Sequence, residues 1–210
     1  PTPAHLATYL AEKHKPTPDM ILGTLVHQAI LEPGRPLPAI AVKPADMKFS
    51  TREGKAWRHE QETAGQLIIT EAEFEALQGI RASIASHPVC REVFGAGRSE
   101  VSLFNRWAFG GGTVLRKARI DFVPEGDALA DIKTTLDASP EKFAKTVWDM
   151  RYFTLAAYYL DVWNDSQEVK KERFLFVAVE KTPPWLVAVY QLDQEAIKIG
   201  RGENMTDLIT

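Results

Sequence analysis

The chain has 210 residues, the size of one ordinary domain, and 45% of them are apolar, enough for a buried core. Its 25 basic and 28 acidic side chains leave a net charge of −3, which argues against a coat protein that holds nucleic acid by overall positive charge. The one cysteine, Cys90, excludes an intrachain disulfide and a cysteine-rich zinc site, and the absence of any apolar run of about 18 residues excludes a membrane-spanning helix.

The sequence begins at Pro1 without a signal-peptide pattern, and a reducing, cytoplasmic setting is expected. No repeat or low-complexity linker divides residues 1–210, so a single domain is expected.

A short helix is expected over 4–13, stopped by Pro16 and Pro18. In the following stretch Leu22, Leu25, Val26, Ala29 and Ile30 recur at three- and four-residue spacing, the pattern of a buried helix that ends at Pro33-Gly34. His27 lies within it, four residues after Gly23; it reads either as a ligand entering a site from a core helix or as a satisfied core histidine. Residues 35–42 read as a short strand. In the segment 43–62, Lys43, Lys48, Arg52, Lys55 and Arg58 are interleaved with Phe49 and Trp57. That composition fits a nucleic-acid contact, or a solvated loop and helix whose aromatics turn inward.

Thr70 and Glu73 have capping-box spacing, and Phe74, Leu77, Ile80 and Ile84 continue as the apolar stripe of a helix stopped by Pro88. Residues 89–94 read as a short further helix or turn. Residues 100–109 alternate as a strand, with Val101, Leu103 and Asn105 on one side. A glycine turn at Gly110-Gly111-Gly112 follows, then a strand over 114–123 and another over 128–134. Three strands of an antiparallel meander result, with Glu100 at the start of the first. Ser139-Pro140-Glu141 has the form of a helix start, and one helix is expected to run on to about Val162 or Trp163. A polar loop over 164–171, an apolar central strand over 173–180, a turn, a returning strand over 185–191, a last helix that starts over 193–202 and a polar tail complete the chain.

The segment RKARIDFVPEGDALADIKTT, residues 116–135, carries the chemistry. Side chains alternate along a strand, so Asp131 and Lys133 share a face while Ile132 points away. Pairing across the turn brings Asp121 beside Asp131. Apolar strands seldom carry acids unless these are paired or bind metal. Two carboxylates and an ammonium on one surface suit metal-assisted phosphodiester cleavage; the same residues also fit a surface hairpin with an Asp-x-Lys ion pair.

The order helix, three-stranded meander, helix, further strand resembles the PD-(D/E)xK nuclease core, an α/β (α+β) fold with a central mixed sheet flanked by helices. Within that superfamily the chain is similar to the RecE-type exonucleases, relatives of RecB nuclease domains and lambda exonuclease. The likeness is carried by LGTLVHQAILEP with its G-x-x-x-H helix, FSTREGKAW, RKARIDFV with LADIKTT, and RYFTLAAYYLDV. It implies that Asp121, Asp131, His27 and the Ile132 carbonyl hold a divalent ion, Mg2+ or Mn2+. It also implies that Lys133 orients the attacking water, that Glu100 is a further acid of the site, and that Arg52, Lys55 and Tyr152 contact DNA. The activity implied is digestion of double-stranded DNA from its ends, 5′ to 3′, by a bacterial or phage-encoded ring-shaped homo-oligomer that leaves a 3′ strand for a single-strand annealing protein. One departure stands out. The family's glutamine three residues after Tyr152 is Leu155 here, which cannot hydrogen-bond. Leu155 keeps open a DNA-binding module without chemistry; a nuclease of other polarity or substrate is a further alternative.

Overall fold

The fold is that of a computed structural model and is described for residues 3–11, 16–109 and 112–209. Gly110 and Gly111 of the expected turn lie outside the described residues, as do residues 12 and 13 of the first expected helix.

Helix α1 spans Pro3–Ala11 and α2 spans Pro18–Leu31. Pro18 stands in the first turn of α2, where a missing N–H costs nothing, and the Thr17 hydroxyl accepts from the Met20 amide at 3.3 Å. Strand β1 (Ile40–Lys43), helix α3 (Arg52–Thr63), strand β2 (Leu67–Thr70), helix α4 (Glu71–Ser86) and helix α5 (Pro88–Val93) follow. The capping box is formed: the Glu73 amide donates to the Thr70 hydroxyl, and the Thr70 amide donates to Glu73 Oε2 at 2.6 Å. β2 is a strand the sequence reading did not separate from this helix. It pairs in parallel with β1, outside the main sheet.

The main sheet has the order β3 (Gly97–Phe109), β4 (Gly112–Pro124), β5 (Ala128–Thr135), β6 (Arg173–Glu180), β7 (Val187–Gln191). β3, β4 and β5 form the expected antiparallel meander, β6 runs parallel to β5, and β7 returns antiparallel to β6. The fold class is therefore the expected α/β one with a mixed central sheet. Helices α6 (Pro140–Asp149) and α7 (Tyr152–Ser166) connect β5 to β6, and α8 (Gln194–Ile209) closes the chain. Two apolar layers sandwich the sheet. Leu129, Phe174 and Phe176 pack with Phe143 of α6 and Leu160 of α7 on one side. Ala130, Ile132 and Val177 pack with Leu25 of α2 and Leu77 and Ile80 of α4 on the other. With both faces covered, β6 reads as an almost unbroken apolar run, and the charges that β5 carries are forced into the interior.

Three expectations are corrected. The helix expected to run unbroken from Ser139 to about Trp163 is two helices, α6 and α7. Arg151 between them is left-handed, with φ 53° and ψ 37°. Its guanidinium donates to Glu203 Oε2 at 2.7 and 3.0 Å and to Asp207 at 3.2 Å, so carboxylates of α8 hold the break. Gly200 lets α8 approach: a Cβ there would stand 2.3 Å from the Phe153 carbonyl oxygen. Residues 164–166, expected in a loop, extend α7, and the last helix reaches Ile209 where a polar tail was expected.

Candidate metal and phosphate site

The site forms where α2 crosses the β3–β4–β5 meander. The β4–β5 pairing sets Phe122 opposite Ala130, so Asp121 faces Asp131 across the two strands. Asp131 is only 2% exposed, because β5 lies between β4 and β6. Lys133, two residues on, points the same way and brings Nζ to 2.5 Å from Asp131 Oδ1. That ammonium also lies 5.1 Å from the centre of the Tyr152 ring at the start of α7, whose face attracts a cation. Burial pulls the Lys133 ammonium down, but the Asp131 charge and hydrogen bond and the Asp121 charge outweigh it, so its pKa is raised. It stays charged at neutral pH.

His27 reaches the sheet from α2. Its Nε2 lies 2.8 Å from the Ile132 carbonyl oxygen, and its Nδ1 lies 3.2 Å from Asp121 Oδ2. With Nε2 donating to that carbonyl, Nδ1 turns a lone pair toward Asp121. Glu100 comes from β3, where the sheet bends: its φ is 54°, a left-handed conformation costing about 1 kcal/mol or more in a non-glycine residue. Its carboxylate is paired with the Arg119 guanidinium. Burial, and then the charge of Asp131, push the Asp121 carboxyl up to about 8.

The arrangement fits a divalent cation. One ligand atom from each of His27, Glu100 and Asp121 falls within 4.8 Å of the others. Buried Asp121 Oδ2 lacks a hydrogen bond of acceptable geometry among the described residues, and Asp131 Oδ1 has the Lys133 ammonium beside it. Carboxylate oxygens and an imidazole nitrogen gathered this closely are what a hard or borderline dication takes. These three side chains open onto a cleft of about 630 Å³ that Thr24, Arg35 and Arg119 also line. Gly23 lines it too, with nothing within 4 Å of where a Cβ would stand.

The structure thus brings together His27, Glu100, Asp121, Asp131, Lys133, Tyr152 and the Ile132 carbonyl. Asp131 stands apart from the three-ligand group and is engaged by Lys133, while the Ile132 carbonyl is engaged by His27. Arg52 and Lys55 lie exposed on α3, and neither bonds to any of these groups among the described residues. Nearby, Phe49 stacks on Trp57 at 6.3 Å and carries Arg58 over its ring at 5.3 Å. Leu155 packs half-buried against the core on the α7 side. Sequence reading missed Arg119. Its signal was the two-residue step before Asp121, which puts a cation at the mouth of the cleft.

A solved structure shares this architecture. A protein of Eubacterium rectale described as a "Putative exonuclease" superposes with a TM-score of 0.63 over 97% of this chain and 70% of its own, at 14% identity, a likeness of fold. The structure of SSO0001, at 16% identity over 89% of this chain and 86% of its own, has a TM-score of 0.37, too low to carry an argument. No curated protein matches the sequence. A family model described as "PDDEXK-like domain of unknown function (DUF3799)" matches residues 1–208, nearly the whole chain. By that match the chain belongs to this PDDEXK-like family and so to the PD-(D/E)xK nuclease superfamily.

Proposed function

We propose that the chain is a divalent-metal-dependent exodeoxyribonuclease that digests linear double-stranded DNA from its ends, 5′ to 3′, as the likeness to RecE-type enzymes implies. Membership of a PDDEXK-like family supports nuclease activity. The single observation that carries the reading further is the convergence of His27, Glu100 and Asp121 on one point, with the Asp131–Lys133 pair beside it. His27, Asp121 and Glu100 would hold a Mg2+ or Mn2+ ion, with Asp131 facing Asp121 across the strands. Such an ion, when bound, lowers the pKa of a water and neutralises charge developing on the phosphate.

The protein's own groups do the rest. Lys133, fixed by Asp131 and by the Tyr152 ring, offers ammonium N–H groups to a water or phosphate oxygen and stabilises negative charge there. Asp131 is a positioning residue for that ammonium as well as a candidate ligand. Arg119 and Arg35 line the cleft, paired with Glu100 and Glu32; with Glu100 taken by a metal ion, the Arg119 guanidinium would be left to a phosphodiester backbone.

The test is incubation with linear and covalently closed circular duplex DNA, in magnesium and in EDTA. Magnesium-dependent loss of the linear duplex alone is expected. Nicking of the circle would replace this reading with an endonuclease. DNA binding without degradation under any divalent ion would replace it with a binding module.

A further inference from the structure

The β3–β4 hairpin has an outward face that the cleft does not account for. Along β4, Arg116, Ala118 and Ile120 are buried, whereas Leu115, Lys117 and Arg119 are exposed. The register sets Arg106 opposite Leu115, Phe104 opposite Lys117 and Ser102 opposite Arg119. Residues paired across two strands share a face, so these six form one surface. Arg119 also lines the cleft with His27 and Asp121, so the surface continues directly from the candidate site. Arg119 is paired with Glu100; neither Arg106 nor Lys117 has a carboxylate partner among the described residues. Phe104 is 76% exposed and Leu115 74%. Phe104 and Leu115 thus form an apolar patch bordered by unpaired cations, the composition of a surface that binds.

The geometry points to this hairpin face as the track for one unpaired strand of DNA engaged by the cleft. The inference rests on the nuclease reading and names the surface by which that activity holds its polymer. Side chains two residues apart on a strand are about 7 Å apart, so Arg119, Lys117 and the diagonal Arg106 form a ladder that can follow successive phosphates. Phe104, opposite Lys117, offers a ring on which any base can stack, giving affinity without sequence preference. Charge selects the occupant: the face carries three cations and no acid beyond the Arg119-paired Glu100, which suits a polyanion better than a second copy of a chain with net charge −3.

The test measures fluorescence anisotropy of a labelled oligodeoxythymidylate of about 20 nucleotides in EDTA, so that binding is read without cleavage. The double variant Arg106→Ala/Lys117→Ala is expected to weaken binding at least about tenfold and to lower the log–log salt slope by about 1.4, the loss of two phosphate contacts. Phe104→Ala is expected to weaken single-strand binding about tenfold and blunt-duplex binding far less, with Phe104→Trp restoring it. All these positions are exposed, and unchanged thermal unfolding checks that the variants fold. Unchanged affinity and slope would overturn the track, and so would equal losses on single strand and duplex. A change of oligomeric state in sedimentation with DNA binding intact would assign the face to a second copy instead. Hairpin-dependent binding by a chain that digests nothing would keep the track and remove the nuclease reading; digestion indifferent to the hairpin would do the reverse.

Discussion

Strand β4 builds two charged clusters a few residues apart, and they are solved in opposite ways. At Arg116 every charge is answered. The guanidinium, 5% exposed, donates to Asn105 Oδ1 at 3.0 Å and to Asp165 Oδ2 at 2.5 Å, and it lies 5.4 Å from the Trp107 ring centre. Asn105 in turn donates to Ser166 Oγ at 3.0 Å, tying the hairpin to α7. At Asp121 the acids are crowded instead: Asp121 faces Asp131, Glu100 approaches, burial and the Asp131 charge push the Asp121 carboxyl up, and its Oδ2 lacks a good hydrogen bond among the described residues. A satisfied buried charge holds elements together. An unsatisfied one costs stability and stores affinity for a cation. The first cluster reads as structure and the second as function.

The contrast is broken most sharply by mutation. Asp131→Ala is expected to reduce DNA cleavage by at least about 1,000-fold while the protein stays folded, since it removes charge that helps hold the ion and position Lys133. Retained turnover would sink the assignment. Arg116→Ala should do the opposite. It removes the bonds to Asn105 and to the half-exposed Asp165, is expected to cost about 1 to 2 kcal/mol of stability, and leaves the folded fraction's specific activity near wild type. Thermal unfolding alongside turnover separates the two outcomes.

The pH dependence is a gentler probe. The Asp121 carboxyl sits at about 8 in the metal-free fold against an ordinary value of 3.8, raised first by burial and then by Asp131. The folded state therefore holds a proton that the unfolded state releases between these values, and this group's contribution to stability falls as pH rises from about 4 to about 8. A bound dication favours the ionised form, so calcium or magnesium is expected to raise the melting midpoint more at pH 8 than at pH 5, as read by calorimetry with and without EDTA. A stabilisation that is equal at both would show that Asp121 does not carry the ion. The smallest effect is expected at Leu155. Because it packs against the core rather than touching the aspartates, Leu155→Gln should cost about 1 kcal/mol and leave cleavage within about twofold of wild type. A large gain in activity would show that the family's glutamine makes a contact this chain lacks.

Much of the frame is legible before folding because it is written in local periodicity. The alternation around Leu103, the Thr70–Glu73 capping box and the apolar run of β6 each depend on residues within one element. Asp-x-Lys has one geometric meaning in any strand, so Asp131 and Lys133 had to share a face. The break at Arg151 was hidden because its helical pattern continues through it; the carboxylates that hold the left-handed turn lie on α8, 52 and 56 residues away. β2 was hidden because four residues cannot declare a strand whose partner, β1, lies beyond an intervening helix.

The site divides in the same way. Sequence by itself determined which side chains carry charge and which of them alternate together, since strand and helix periods follow from backbone geometry. Only the tertiary structure decided that His27 meets the Ile132 carbonyl 105 residues away, that Glu100 takes a left-handed turn to reach the cleft, and that Arg119 stands at its mouth. Those placements depend on where α2 crosses the sheet and where β3 and β4 bend. They are fixed by the packing of two apolar layers, and no local pattern encodes them.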